Sequence, residues 1–316
     1  MTTDKFAIKG QVSGKPVICL FLFFLFLVML NGCAVRQYAI NRVGDAVAGG
    51  GDTFASDNDP DLVRDASPFS LKMMESLLAE NPRHRGLLLA ATKGFTQYAY
   101  AYVQQQADEV EEKDVNTAYA ERDRAKRLYL RARDYGLRGL SLQQPEFFVQ
   151  LRADPQATVK KVKPGDVALL YWTGAAWAAA IAVGKDDPFL VADLPAVEAL
   201  IMRAVEINET FDNGALHVFL ISYEMSRSAV SKDAAQKAHE HFRRAVELSS
   251  GLQAAPYVAL AESVSVQEQK RDEFTQLLNQ ALAVDIDKRP EWRLPNLIMQ
   301  RRARWLLAHA DAYFIN

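Results

Sequence analysis

The sequence predicts an all-α protein assembled from stacked helix pairs, and three observations predict it. From Ser67-Pro68 onward, apolar residues recur at helical spacing between short Pro, Gly, Asn or Asp breaks. No convincing run of alternating strand residues interrupts them. Three segments then echo one another: 197–208 leads into 214–220, 241–249 into 255–261, and 274–285 into 296–300.

Aligned on Ala204, Ala245 and Ala281, the echoes are 41 and 36 residues apart, close to the ~34-residue period of tetratricopeptide helix pairs. A small Ala where two antiparallel helices cross lets them approach closely, and the next pair stacks on the face left open. Divergent earlier members are read at 71–80, 87–103, and 124–140 followed by 167–183. The expectation is four to five tetratricopeptide-like pairs in a compact solenoid-like bundle.

Taken in order, the chain opens with Lys5, Lys9 and Lys15, then an unbroken apolar run from Val17 to Leu30 that ends in Asn31-Gly32-Cys33. A basic region, a short apolar stretch and a small residue before the cut describe a secretory signal. The run falls short of the ~20 residues that span a bilayer. Cys directly after the small residue is the arrangement of bacterial lipoprotein signals, so residues 1–32 read as the removed signal and Cys33 as the mature N-terminus carrying acyl chains such as palmitate. Several acyl chains anchor stably, at ~0.8 kcal/mol per buried methylene. Ala34 rather than Asp after Cys33 resembles the Gram-negative pattern for the outer membrane, facing the periplasm.

Residues 33–66, with Gly49-Gly50-Gly51 and the Asp57–Asp61 turn, read as a tether and N-terminal loop region. Residues 67–316 read as the helical-repeat domain, entered through Ser67 as N-cap and Pro68 at the first helical position. The weakly alternating 158–162 stretch, between Pro155 and Pro164-Gly165, reads as a loop. Residues 295–313 read as a last, capping helix with Arg301, Arg302 and Arg304 on its wet face.

Composition excludes several classes. Cys19 lies within the signal, which leaves one acylated sulfur and no internal disulfide. The chain has 37 basic and 39 acidic residues, and removing Lys5, Lys9, Lys15 and Asp4 leaves 34 against 38. A net negative chain is no nucleic-acid binder.

Catalytic and metal templates fail on spacing, so no catalytic residue, metal site or cofactor is expected. His239-Glu240-His241 puts its imidazoles two residues apart, where a helical zinc motif needs i and i+4. Asp57, Asp59 and Asp61 begin like a calcium loop, but Leu62 and Pro68 stand where Gly and Glu are required. The glycine run at 49–51 lacks the Lys of a phosphate loop, there is no Gly-x-Ser-x-Gly elbow, and no free thiol remains. His84, His217 and His309 read as isolated core or surface histidines, and Asp108 to Asp114 as a solvated acidic end or a docking surface for a basic partner.

The aromatic residues are the ligand-lining or pore-lining candidates. Phe95, Tyr98 and Tyr102 recur at i, i+3 and i+7 along one stripe. Tyr171, Trp172 and Trp177 stand among Ala and Gly, where small residues thin the helix and leave large rings to line a groove or to fill the core.

The segments 57–66, 71–78, 94–100, 170–177, 193–200 and 241–248 resemble the TRAP transporter T-component (TatT) family of envelope lipoproteins. The resemblance implies a tetratricopeptide-like helical fold, a homotrimer, and association with the periplasmic solute-binding protein of a TRAP transporter. It further implies a non-catalytic role in handing over a ligand, apolar ones included, through a cavity or pore. Ser226 to Asp233 is a polar turn that lacks the Gly-Pro expected between these helices. The rival reading is a tetratricopeptide-type scaffold for envelope protein assembly or peptide binding.

Overall fold

The computed structural model describes residues 35–226 and 233–315, so Cys33 and most of the Ser226–Asp233 turn lie outside the described residues. Among the described residues there is no strand, as the all-α expectation requires. Of the described residues, 35–43 belong to one unit and those from Gly44 onward to a second, compact one.

Residues 35–49 are helical (α1), followed by α2 (Gly51–Ala55) and α3 (Pro60–Glu80). The tether expected at 33–66 is therefore mostly helix over its described part, and the expected boundary at 66/67 falls inside α3. Asp59 makes the difference, because its side chain accepts from the backbone N–H groups of Asp61 (3.1 Å) and Leu62 (3.0 Å) with Pro60 at the first helical position. The N-cap and Pro assigned to Ser67-Pro68 are thus supplied eight residues earlier, and Pro68 lies exposed within the helix.

α4 (Arg85–Tyr98) runs through a π-helical turn, Ala99–Gln104, into α5 (Gln105–Val110). α6 (Val115–Ser141) begins where the Asp114 side chain accepts from the Thr117 N–H at 3.0 Å. Then come α7 (Phe147–Ala153), α8 (Pro155–Lys160), α9 (Val167–Val183), α10 (Pro188–Val191) and α11 (Leu194–Asn208). The 158–162 stretch expected as a loop largely belongs to α8. Asp154 caps it on the Ala157 N–H (3.0 Å), Pro155 opens it, and Val159 points into the main core.

The larger unit continues with α12 (Ala215–Ser226), α13 (Ala234–Leu248), α14 (Ala255–Leu260) with its own π-helical turn at Ala261–Ser265, α15 (Arg271–Leu282) and α16 (Arg293–Ala308). α6 packs between α4 and α9, α9 against α11, and α3 over α4. Around α12 to α16 a second core forms from Ile221, Ala238, Val258, Phe274 and Leu306, among others. α16 is not simply a terminal cap. It packs on α14 and α15 and reaches back to α2 and α3.

Two glycines make the closest approaches possible. At Gly136 in α6, a Cβ would overlap Thr173 Oγ1 and lie 3.0 Å from Thr173 Cβ and 3.1 Å from Thr92 Cγ2, so three helices meet on one missing methyl. Gly214, at φ +104°, turns the chain from α11 into α12 and sits where a Cβ would come 3.1 Å from Ala245 Cα. Ala204, Ala245 and Ala281 are all essentially fully buried.

Residues Pro164–Val183 are long and apolar enough to cross a membrane, with mean hydropathy 1.4, but 56% of that stretch is buried inside the protein. Leu169, Leu170, Trp177 and Ile181 of α9 belong to the core shared with α6 and α11. A helix apolar all round suits such a central position.

Candidate functional site

The π-helical turn after α4 organises the site. Its closing bond runs from the Gln105 N–H to the Tyr100 carbonyl, one residue longer than an α-helical bond. The extra residue re-aims the aromatic stripe. Phe95 packs with Leu71, Leu87 and Leu88 and stacks on Tyr135 of α6 at 5.9 Å. Tyr98 bridges three clusters and meets Tyr102 at 5.7 Å. Tyr102 points instead toward α3 and α16, joining Val63 and Ile298.

There Tyr102 lines a cavity of about 270 Å3 together with Arg64, Ala101, Gln106, Glu109 and Arg301. Its side chain is 7% exposed, and its hydroxyl is buried without a hydrogen-bond partner. Burial pushes that hydroxyl up to about 12, with Asp61 adding to the rise and Arg64 and Arg301 opposing it. The surrounding charges are paired. Arg64 binds Asp61 and Asp65, each at 2.9 Å, and Arg301 grips both oxygens of Glu109 at 3.2 and 2.8 Å.

The acidic stretch 108–114 is a set of ties between helices more than a solvated end. Arg302 donates to Glu262 through Nε (3.0 Å) and Nη2 (2.7 Å) and forms an ion pair with Asp108 at 3.0 Å. Arg122 clasps both Asp108 and Glu111. Arg302, placed by the sequence on a wet face, is only 12% exposed and stacks on Trp305 at 4.6 Å. Burial pushes the Glu262 carboxyl up, and Arg302 pulls it back.

The second aromatic group divides in two. Tyr171 and Trp172 are half-buried and meet edge to face at 5.0 Å, with Phe211 5.5 Å from Tyr171 and the Lys93 ammonium 5.7 Å from the Trp172 ring. Burial, aided by Asp212, pushes the Tyr171 hydroxyl up. Trp177 is fully buried, 6.0 Å from Phe148, with the Arg133 guanidinium 5.1 Å from its ring centroid. Of the six predicted rings, the structure brings Tyr98 to Tyr102 and Tyr171 to Trp172, and of the six only Tyr102 lines this cavity.

Sequence reasoning missed Arg64, Gln106, Glu109 and Arg301, which come from three helices, and no local signal marks them as neighbours. It also missed that His217 is not isolated. His217 Nδ1 lies 3.0 Å from His241 Nδ1, and its Nε2 lies 3.3 Å from Glu209, which Arg244 also binds. His241, weighed only as half of a metal pair with His239, instead joins α13 to α12. A second groove, of about 380 Å3, runs along α6 beside Arg127, Arg131, Tyr135 and Arg138.

Comparison with known proteins places this geometry in context. A protein of Treponema pallidum (strain Nichols), described only as uncharacterized, is 28% identical over 317 residues, covering 95% of this chain and 98% of that protein. The family described as TRAP transporter T-component matches residues 56–314, from just before α3 to beyond α16. On that match the chain belongs to the TRAP transporter T-component family.

Proposed function

We propose that this protein is a periplasm-facing lipoprotein that binds the solute-binding subunit of a TRAP transporter and assists ligand transfer without catalysing a reaction. Membership of the T-component family across 56–314 supports the transporter role. The observation that carries the ligand-handling part is Tyr102, which lines a cavity while its hydroxyl is buried without a partner. A buried hydroxyl left unpaired costs about 1–3 kcal/mol, so a shift of the ring that opens this hydroxyl to a ligand recovers what folding leaves unmet. In this reading Tyr98 and Tyr102 form one flank of the ligand path and Tyr171 and Trp172 another, while Phe95 and Trp177 back them from the core.

Acylation at Cys33 anchors the protein in the outer membrane, and the helix pairs form tetratricopeptide-like repeats that assemble as a homotrimer. Two measurements test the whole. Crosslinking in native envelope should recover the solute-binding subunit with this protein, and repeated failure would remove the partner. Radiolabelled palmitate should appear on the protein and vanish in Cys33→Ser; a label that persists in that variant would remove the anchor.

A further inference from the structure

Five of the seven basic residues on α6 sit beside carboxylates: Arg122 with Asp108 and Glu111, Arg124 with Glu121, Lys126 with Asp123, Arg131 with Glu75, and Arg133 with Asp134. The other two, Arg127 and Arg138, have no carboxylate partner among the described residues, and both line the groove of about 380 Å3 along this helix. Arg138 donates only to the Pro82 carbonyl, at 3.2 Å. On a chain with a net negative charge, the surplus positive charge of α6 is concentrated in this groove.

Arg127, Arg131, Asp134 and Arg138 follow i, i+4, i+7 and i+11, a single stripe of the helix. The Arg138 guanidinium lies 5.2 Å from the Tyr135 ring and that of Arg131 5.4 Å from the Phe95 ring, while Tyr135 is itself fixed by donating to Glu75 at 2.7 Å. A guanidinium resting on a ring keeps its N–H edges for a carboxylate and loses less freedom on pairing. Leu130 and Tyr135 give the groove its apolar wall. The spacing selects the kind of anion. Arg127 and Arg138 are ~16 Å apart along the axis, at ~1.5 Å per residue, too far for one small organic acid to reach both. Asp134, 60% exposed between them, would repel a uniformly anionic lipid surface, whereas a folded protein can set carboxylates against the arginines and a donor against Asp134.

We infer that the α6 groove docks an acidic protein surface, two carboxylates of which pair with Arg127 and Arg138 while apolar side chains meet Leu130 and Tyr135. This rests on the reading above that the protein binds the solute-binding subunit, and it names the face that binds it and the chemistry that face requires of the subunit.

The test uses the purified full-length protein in detergent, the purified solute-binding subunit, and crosslinking in native envelope. Calorimetry should show the subunit binding the wild type. Arg127→Gln/Arg138→Gln should weaken that binding about tenfold or more, with the urea midpoint unchanged because both side chains are exposed and lack carboxylate partners. Arg124→Gln/Lys126→Gln removes the same charge from paired positions of the same helix and should keep the affinity. Raising salt from about 50 to about 500 mM should weaken the wild type more than Arg127→Gln/Arg138→Gln. Wild-type affinity in Arg127→Gln/Arg138→Gln, or equal losses in the two double variants, overturns the docking face and leaves the partner standing. A subunit that neither binds nor crosslinks to the wild type overturns both. If Arg127→Gln/Arg138→Gln binds the subunit normally but no longer sediments with phosphatidylglycerol vesicles, or no longer self-associates, the face belongs to a membrane or to a second copy and the proposal is equally overturned.

Discussion

Replacing Gly136 with Ala sets two opposed effects against each other at one atom. Helix propensity alone favours Ala over Gly by ~1 kcal/mol in the interior of α6. Packing opposes it, because the new methyl would overlap Thr173 Oγ1 and press on Thr173 Cβ at 3.0 Å and Thr92 Cγ2 at 3.1 Å, inside the 3.5–4.0 Å of ordinary carbon contact. Thr92 and Thr173 are both fully buried, so neither can swing into solvent. Overpacking of this kind costs ~1–3 kcal/mol. With both neighbours fixed on packed helices the upper part of that range applies, and the net loss should be ~1–2 kcal/mol. In urea, with m near ~3 kcal/mol/M, the midpoint should fall by ~0.3–0.7 M. Thr173 Oγ1 has no hydrogen-bond partner, so Thr173→Ala alone should cost little, and the Gly136→Ala/Thr173→Ala double variant should recover at least ~1 kcal/mol as coupling. A raised midpoint for Gly136→Ala, or strict additivity of the two changes, would refute the three-helix contact.

Other variants probe the remaining features. Arg302→Met should cost ~3–5 kcal/mol by leaving the Glu262 charge without its partner inside the protein, and adding Glu262→Gln should return part of it; equal urea midpoints for the two variants would argue against the pair. Trp177→Ala, at a fully buried ring, should lose ~3–5 kcal/mol of stability, whereas Tyr171→Ala and Trp172→Ala should weaken ligand or partner binding more than folding. Parallel losses of binding and stability in all three would return those rings to a purely structural role. Burial holds His217 and His241 below the ordinary imidazole value of 6.5, so the unfolded chain binds more protons just below that pH. Stability should be full above about pH 6.5 and fall as acid is added, by at most ~1.4 kcal/mol per pH unit for each proton, since two protonated rings would aim N–H at N–H across 3.0 Å. Urea midpoints between pH 7.5 and 5.5 should drop less steeply in His241→Gln, and an identical slope would count against the pair.

The helices were legible because their signals are local. The buried alanines 204, 245 and 281 lie within α11, α13 and α15, and the 3.6-residue period located α9 and α11 closely but only the second half of α13. Asp-Pro opens α3, α8 and α10 alike, at 59–60, 154–155 and 187–188. That repeated signal was present in the sequence, and reading Ser67-Pro68 in place of Asp59-Pro60 misplaced the start of α3. The loop expected at 158–162 was read from the flanking prolines, yet Pro155 behind the Asp154 cap opens a helix there instead of breaking one.

What the sequence by itself determined was the all-α class, the placement of most long helices and the family, since each is encoded by residues a few positions apart or by ungapped segments. The tertiary structure alone decided which side chains meet. Glu109 reaches Arg301 across 192 positions, Tyr102 turns from α6 toward α16 on one extra residue of a π-helical turn, and His217 finds His241. Such pairings depend on how helices cross and on sub-ångström packing at points like Gly136, and no spacing along the chain records either.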